Sequence, residues 1–110
     1  MAYLMLLYDR PTDVKNWAAY NDRVKGWIAR LLALPGAVSL MAYRTVDGAS
    51  PNIIGMLEFR SMDDARTAAT STQTRTILDE LRAVGAYATV LTLERSPYTP
   101  TPLRSQASPP

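Results

Sequence analysis

The sequence predicts an α+β fold in the order βαββαβ: a four-stranded antiparallel sheet with two helices on one face. Three observations predict it. Four short apolar stretches, at residues 2–8, 37–46, 52–60 and 86–95, are bounded by turn-forming or charged residues. Two longer stretches of helical period separate the first from the second and the third from the fourth. A turn cluster of hairpin length, Asp47-Gly48-Ala49-Ser50-Pro51, joins the middle pair with no helix between them.

Residues 2–8 read as a buried strand with Tyr3, Met5 and Leu7 on one face and Leu4, Leu6 and Tyr8 on the other. The stretch lacks a basic start and ends in Asp9-Arg10-Pro11, so it does not read as a signal peptide. Thr12 is the expected N-cap of the first helix, with Asp13 in its positive first turn. That helix runs to about Leu34, where Pro35-Gly36 stops it. With Val24 at the centre of a helical wheel, Trp17, Tyr20, Asn21, Trp27, Ile28 and Leu31 fall within about 60° of it. Both tryptophans lie on this inner stripe. Asn21 is the one polar residue among them, and a buried amide requires partners.

In the third strand, Gly55 marks a bulge or a close backbone approach. Ser61 and Asp64 form a capping box ahead of a weak inner face of Met62, Ala65, Ala68 and Ala69. Thr70-Ser71-Thr72 kinks or breaks this helix, because hydroxyl side chains compete for the backbone. It resumes with a stripe of Thr74, Ile77, Leu78, Leu81 and Val84, with Arg75 and Asp79 spaced to pair outside, and Gly85 caps it. From Ser96 the chain is proline-rich. The expected division is a domain over 1–96 and an extended arm over 97–110, with Tyr98 and Leu103 as apolar anchors.

At 110 residues the chain makes one domain with a core of its own. It has no cysteine and no histidine, which excludes disulfides, thiolate chemistry, His-ligated metal or haem, and Ser-His or Cys-His catalysis. No metal-ligand spacing and no Gly-rich phosphate loop occurs, so neither metal nor cofactor is expected. The net charge is only +2 and the basic residues are scattered, which argues against nucleic acid. No apolar run approaches the ~18 residues of a membrane span, and a cytoplasmic protein is expected.

The βαββαβ order is the split-βαβ, ferredoxin-like arrangement. Both faces of its strands are apolar, and two helices cover only one. The expected remedy is a second copy packed sheet to sheet, a homodimer. Here the chain resembles the dimeric α+β barrel superfamily. Trp17, Tyr20-Asn21, Leu34-Pro35-Gly36 and Tyr43-Arg44 resemble EthD-like proteins, although Val24 and Lys25 stand where that family carries a histidine. Leu57-Glu58-Phe59, Ser61-Met62-Asp63-Asp64-Ala65 and the helix after the Ser/Thr break resemble antibiotic-biosynthesis-monooxygenase-like proteins. The resemblance covers about residues 1–96. It implies a small-molecule-binding protein: a cofactor-independent monooxygenase, cyclase or isomerase acting on an aromatic or polyketide-like substrate. The alternative is a non-catalytic accessory or ligand-binding protein of EthD-like type.

The resemblance also implies a pocket between the first helix and the sheet. Trp17, Tyr20, Asn21, Val24 and Trp27 would wall it around a small apolar or aromatic ligand; the same stripe also serves as ordinary core. Asn21, Tyr20 and Arg44 are the candidate catalytic residues, and Trp17, Val24, Trp27, Tyr43 and Glu58 the candidate substrate-binding ones. Arg44 and Glu58 pair, or hold an acidic substrate, if the hairpin register puts them on one face. Tyr3, Tyr8, Tyr43 and Tyr87 are further proton donors by type, and Asp9 is either a base or a turn former.

Overall fold

The computed structural model describes residues 1–106. Its elements are β1 (Ala2–Tyr8), α1 (Val14–Leu32), β2 (Ala37–Arg44), β3 (Ile53–Phe59), α2 (Met62–Ala69), α3 (Thr72–Ala83) and β4 (Thr89–Glu94). The strands form one antiparallel sheet in the order β2-β3-β1-β4. β1, apolar on both faces, takes a central position between β3 and β4. Leu4, Leu57 and Phe59 are fully buried beneath the helices, and Tyr3, Met5, Ile54 and Met56 alternate onto the other face. No helix among the described residues is long and apolar enough to cross a membrane. The last four residues of the expected arm lie outside the described residues. Up to residue 106 the arm forms neither helix nor strand, and Tyr98 is 90% exposed.

Local chemistry sets the helix ends. Asp13, not Thr12, caps α1: its carboxylate accepts from the Asn16 N–H at 3.1 Å. After α1, Gly36 takes φ +81°, and a Cβ there would run into the Asp64 carboxylate. α3 closes in a Schellman turn, with Ala86 N donating to Leu81 O and Gly85 N to Arg82 O. That turn delays β4 to Thr89, three residues later than the sequence suggests. The expected break at Thr70–Thr72 is complete and yields two helices. Ser71 stitches it: its hydroxyl accepts from Thr74 N at 3.1 Å, donates to Ala68 O at 2.9 Å and meets the buried Thr74 hydroxyl at 3.0 Å.

Three expectations need correction. Gly55 sits in register between Leu6 and Ala42, and the ladder irregularity falls on β2 between Ala37 and Ser39 instead. The ion pair among the described residues is Arg30–Glu80, not Arg75–Asp79. In α1, Tyr20, Trp27 and Leu31 are buried, Val24 is half-buried and Asn21 is exposed. The buried stripe is thus centred roughly 40° away from Val24, toward Trp27. Asn21, on the opposite flank of Val24, is carried out into solvent.

α1 is clamped to α3 by one carboxylate. Glu80 accepts two bonds from the Arg30 guanidinium, both at 2.8 Å, and one from the Trp27 indole N–H at 3.1 Å. The Arg30 bonds, then the Trp27 bond, pull the Glu80 carboxyl down to about 2 from its ordinary 4.5. A depressed carboxyl contributes stability above its unfolded value and loses it as pH falls through the folded one. Between about pH 4.5 and pH 2, the wild-type urea midpoint should therefore fall more steeply than that of Glu80→Gln; parallel curves would refute the clamp. Ser71→Ala should lower stability by about 1–2 kcal/mol at an unchanged m-value. An unshifted urea midpoint would remove Ser71 from that role.

Candidate functional site

The space between α1 and the sheet is not filled. A cavity of about 320 Å³ lies there, with Tyr20, Val24, Trp27, Ile28 and Leu31 as its roof. Its floor comes from β1, β2 and β3, through Leu6, Leu40, Ala42, Ile53 and Gly55, and Ile77 and Leu81 of α3 close one end. The floor is low where its residues are small. A Cβ at Gly55 would touch only the Leu6 Cβ, at 4.0 Å, so the glycine is not forced by crowding; its missing side chain is part of the void.

Polar groups in this wall are few. The Tyr8 and Tyr20 hydroxyls lie 2.6 Å apart, joining β1 to α1. Burial first, and the bond to Tyr20 second, push the Tyr8 phenol above the usual tyrosine range. Tyr8 therefore stays protonated at physiological pH, and either hydroxyl of the pair can be the donor. A pair of hydroxyls uses one proton on each other and keeps the second O–H free. The aromatic wall continues along α1: Tyr20 packs at 5.8 Å from Trp27 and stacks at 5.9 Å on Trp17, which carries the Arg10 guanidinium 5.4 Å above its ring.

Of the candidate residues, the fold brings Tyr20, Val24, Trp27 and Arg44 to the cavity; Tyr43 borders it but stands opposite Ile54, on the other face of the sheet. Asn21 and Trp17 are exposed and do not line it, because of the rotation of α1. Glu58 lies on the other face of the sheet, where it accepts from the Ser39 hydroxyl at 3.2 Å. Arg44 stands opposite Ile53, and Glu58 lies five residues along the same strand, an odd spacing that puts the two on opposite faces. The Arg44–Glu58 pair does not form. Asp9 proves a turn former: it accepts from the Ser50 hydroxyl and the Asn52 N–H. Tyr8, expected with Tyr3, Tyr43 and Tyr87 only as a proton donor by residue type, is the one of those four tyrosines whose hydroxyl bonds Tyr20 in the cavity wall. Its signal was the alternation that places it on the same face as Leu4 and Leu6. No group of three or more metal-binding side chains gathers among the described residues.

No protein-family model and no curated protein sequence matches the chain. Solved structures do. An EthD-family protein from Bacillus halodurans C-125 is similar at 16% identity and a TM-score of 0.63, over 87% of this chain and 99% of that one. SnoaB, a cofactor-independent oxygenase from Streptomyces nogalater, is similar at 15% identity and a TM-score of 0.64, over 91% of this chain and 98% of that one. A dimeric ferredoxin-like protein of unknown function from Jannaschia sp. CCS1 is similar at 17% identity and a TM-score of 0.59, over 86% of this chain and 98% of that one. At such identities the likeness is one of fold. The chain has a ferredoxin-like fold, the fold it shares with EthD-family and monooxygenase-like structures.

Proposed function

We propose that this chain binds a small, flat organic molecule beneath α1 and acts on it without a cofactor, as an oxygenase, cyclase or isomerase. The observation that carries this reading is the apolar cavity with the Tyr8–Tyr20 hydroxyl pair in its wall. A free O–H aimed at a ligand carbonyl stabilises the negative charge that develops as the ketone becomes an enolate. Such chemistry suits an aromatic or polyketide-like ketone, whose enol is conjugated. The similarity to a cofactor-independent oxygenase of the same fold supports it. One observation favours a second reading, a non-catalytic ligand carrier: no carboxylate stands in the cavity wall to take the substrate proton.

Anthrone, a flat ketone with an aromatic enol, separates the two. It should quench tryptophan fluorescence saturably, because Trp27 is in the roof. Gly55→Ile, which fills the floor, should weaken that binding by about tenfold or more and leave the thermal midpoint within a few degrees. Tyr8→Phe should keep most of the affinity and slow oxygen uptake by about 10²-fold. Binding without oxygen uptake would remove the oxygenase, and anthrone recovered unchanged would point to the carrier. Quenching that persists in Gly55→Ile would sink both readings.

The assembly we propose is a homodimer, formed through the sheet face that no helix covers. On it Met41 is 58% and Leu91 44% exposed, next to the half-buried Met5, Ile54 and Met56. An apolar face of that extent is unfavourable in water. The similar Jannaschia protein is dimeric. In this proposed assembly the arm, described as far as residue 106, crosses the partner subunit with Tyr98 and Leu103 as its contacts. Sedimentation at micromolar concentration should show twice the 12.2 kDa chain mass, and Met41→Glu should return it to the single chain. Removing residues 97–110 should weaken the dimer. A 12.2 kDa wild-type species defeats the dimer, and an unchanged dissociation constant on truncation defeats the arm.

A further inference from the structure

Arg44 is a wall shared by two hollows. On one side is the apolar cavity; on the other is a second hollow of about 330 Å³, lined by Arg10, Arg44, Thr45, Val46, Gly48 and Asn52. Two guanidiniums border it and no carboxylate does. The acids nearest in sequence are committed to the local turns. Asp9 accepts from the Ser50 hydroxyl at 2.6 Å and from Asn52 N at 3.0 Å, and Asp47 accepts from Ala49 N at 3.1 Å. Asn52 in turn accepts from the Arg10 N–H at 2.9 Å, which holds the β1 end against the hairpin. Among the described residues neither Arg10 nor Arg44 has an ion-pair partner, the one ion pair being Arg30–Glu80. Asp9 and Asp47 keep their charge in these turns, but neither pairs with Arg10 or Arg44 among the described residues, and a guanidinium fork matches a carboxylate in two bonds.

We infer that the ligand is an aromatic acid, whose ring system occupies the cavity and whose carboxylate reaches Arg44 at the rim, with Arg10 beside it. The apolar body would be read by the roof and floor, and the acid by the basic hollow. This rests on the cavity's being the ligand site, and it narrows the ligand to one charge class. Tyr8, level with Arg44 across Ile53, and Tyr20 would face an oxygen on the ring.

The test compares 2-naphthoic acid with 2-naphthamide on the full-length protein at about pH 8, where the acid is ionised and the amide neutral. By tryptophan quenching, the acid should bind about tenfold tighter at low salt, and the advantage should shrink in about 0.5 M NaCl. In Arg44→Gln the acid-to-amide ratio should fall to within about threefold, and in Arg10→Gln it should fall part of the way. Gly55→Ile should weaken both compounds together. An acid that binds no tighter than its amide, or whose advantage survives both arginine substitutions, overturns the inference, while amide binding sustains the cavity reading. Acid binding untouched in Gly55→Ile overturns it as well, by placing the anion outside the cavity. Failure of both compounds to bind removes the cavity reading and the inference with it. If Arg44→Gln does not fold, Arg10→Gln and the salt dependence decide.

Discussion

Helix α1 is fastened by polar bonds from two of its roof residues, and the space beneath it is left partly empty. Tyr20 is hydrogen-bonded to Tyr8 of β1, and Trp27 to Glu80 of α3. Between these bonds the helix stands on bulky rings, while the sheet below offers Ala42 and Gly55. A void loses dispersion on every side that lacks a neighbour, so an apolar interface normally collapses. Here collapse would break the two bonds that set the height of α1. The cavity follows from large pillars over a small-residue floor.

The same sheet serves two purposes on its two faces. Leu4, Leu6, Leu57 and Phe59 face the helices and form the core, and the cavity opens beside them. Met5, Ile54 and Met56, one residue out of phase, form the uncovered face with Met41 and Leu91. Because side chains alternate with period two, the cavity floor and the uncovered apolar face are interleaved along the same strands. A slip of one residue would exchange them.

Charge is distributed along α1 in a way that suits a site open at one end. At its start Arg10 lies over Trp17, which stacks on Tyr20; farther along, Trp27 hands its N–H to Glu80, which Arg30 neutralises. The Glu80 end is a closed ion pair and locks the helix. At the Arg10 end, with Arg44 across from it, the acids Asp9 and Asp13 are bound to backbone N–H groups, and neither arginine has an ion-pair partner among the described residues.

Features decided within a few residues were legible in the sequence. The strand and helix order, the Ser61 cap, the Ser71 break and the glycine stops at Gly36 and Gly85 depend on hydroxyls, positive φ and periodicity. Features decided between elements were not. A helical wheel gives the width of an apolar stripe, but the sheet beneath chooses its centre; choosing Trp27 and Tyr20 over Val24 put Asn21 in solvent. The hairpin shows the same limit. Ala37 opposes Phe59, and that register carried forward would set Arg44 opposite Asn52, on the face of Glu58. The irregularity between Ala37 and Ser39 shifts the ladder by one, so Arg44 opposes Ile53 and turns to the cavity. The composition of the strands settled that both faces would be apolar. Which face holds Arg44 was decided by one extra residue in β2, because a ladder transmits a local shift to every pair beyond it.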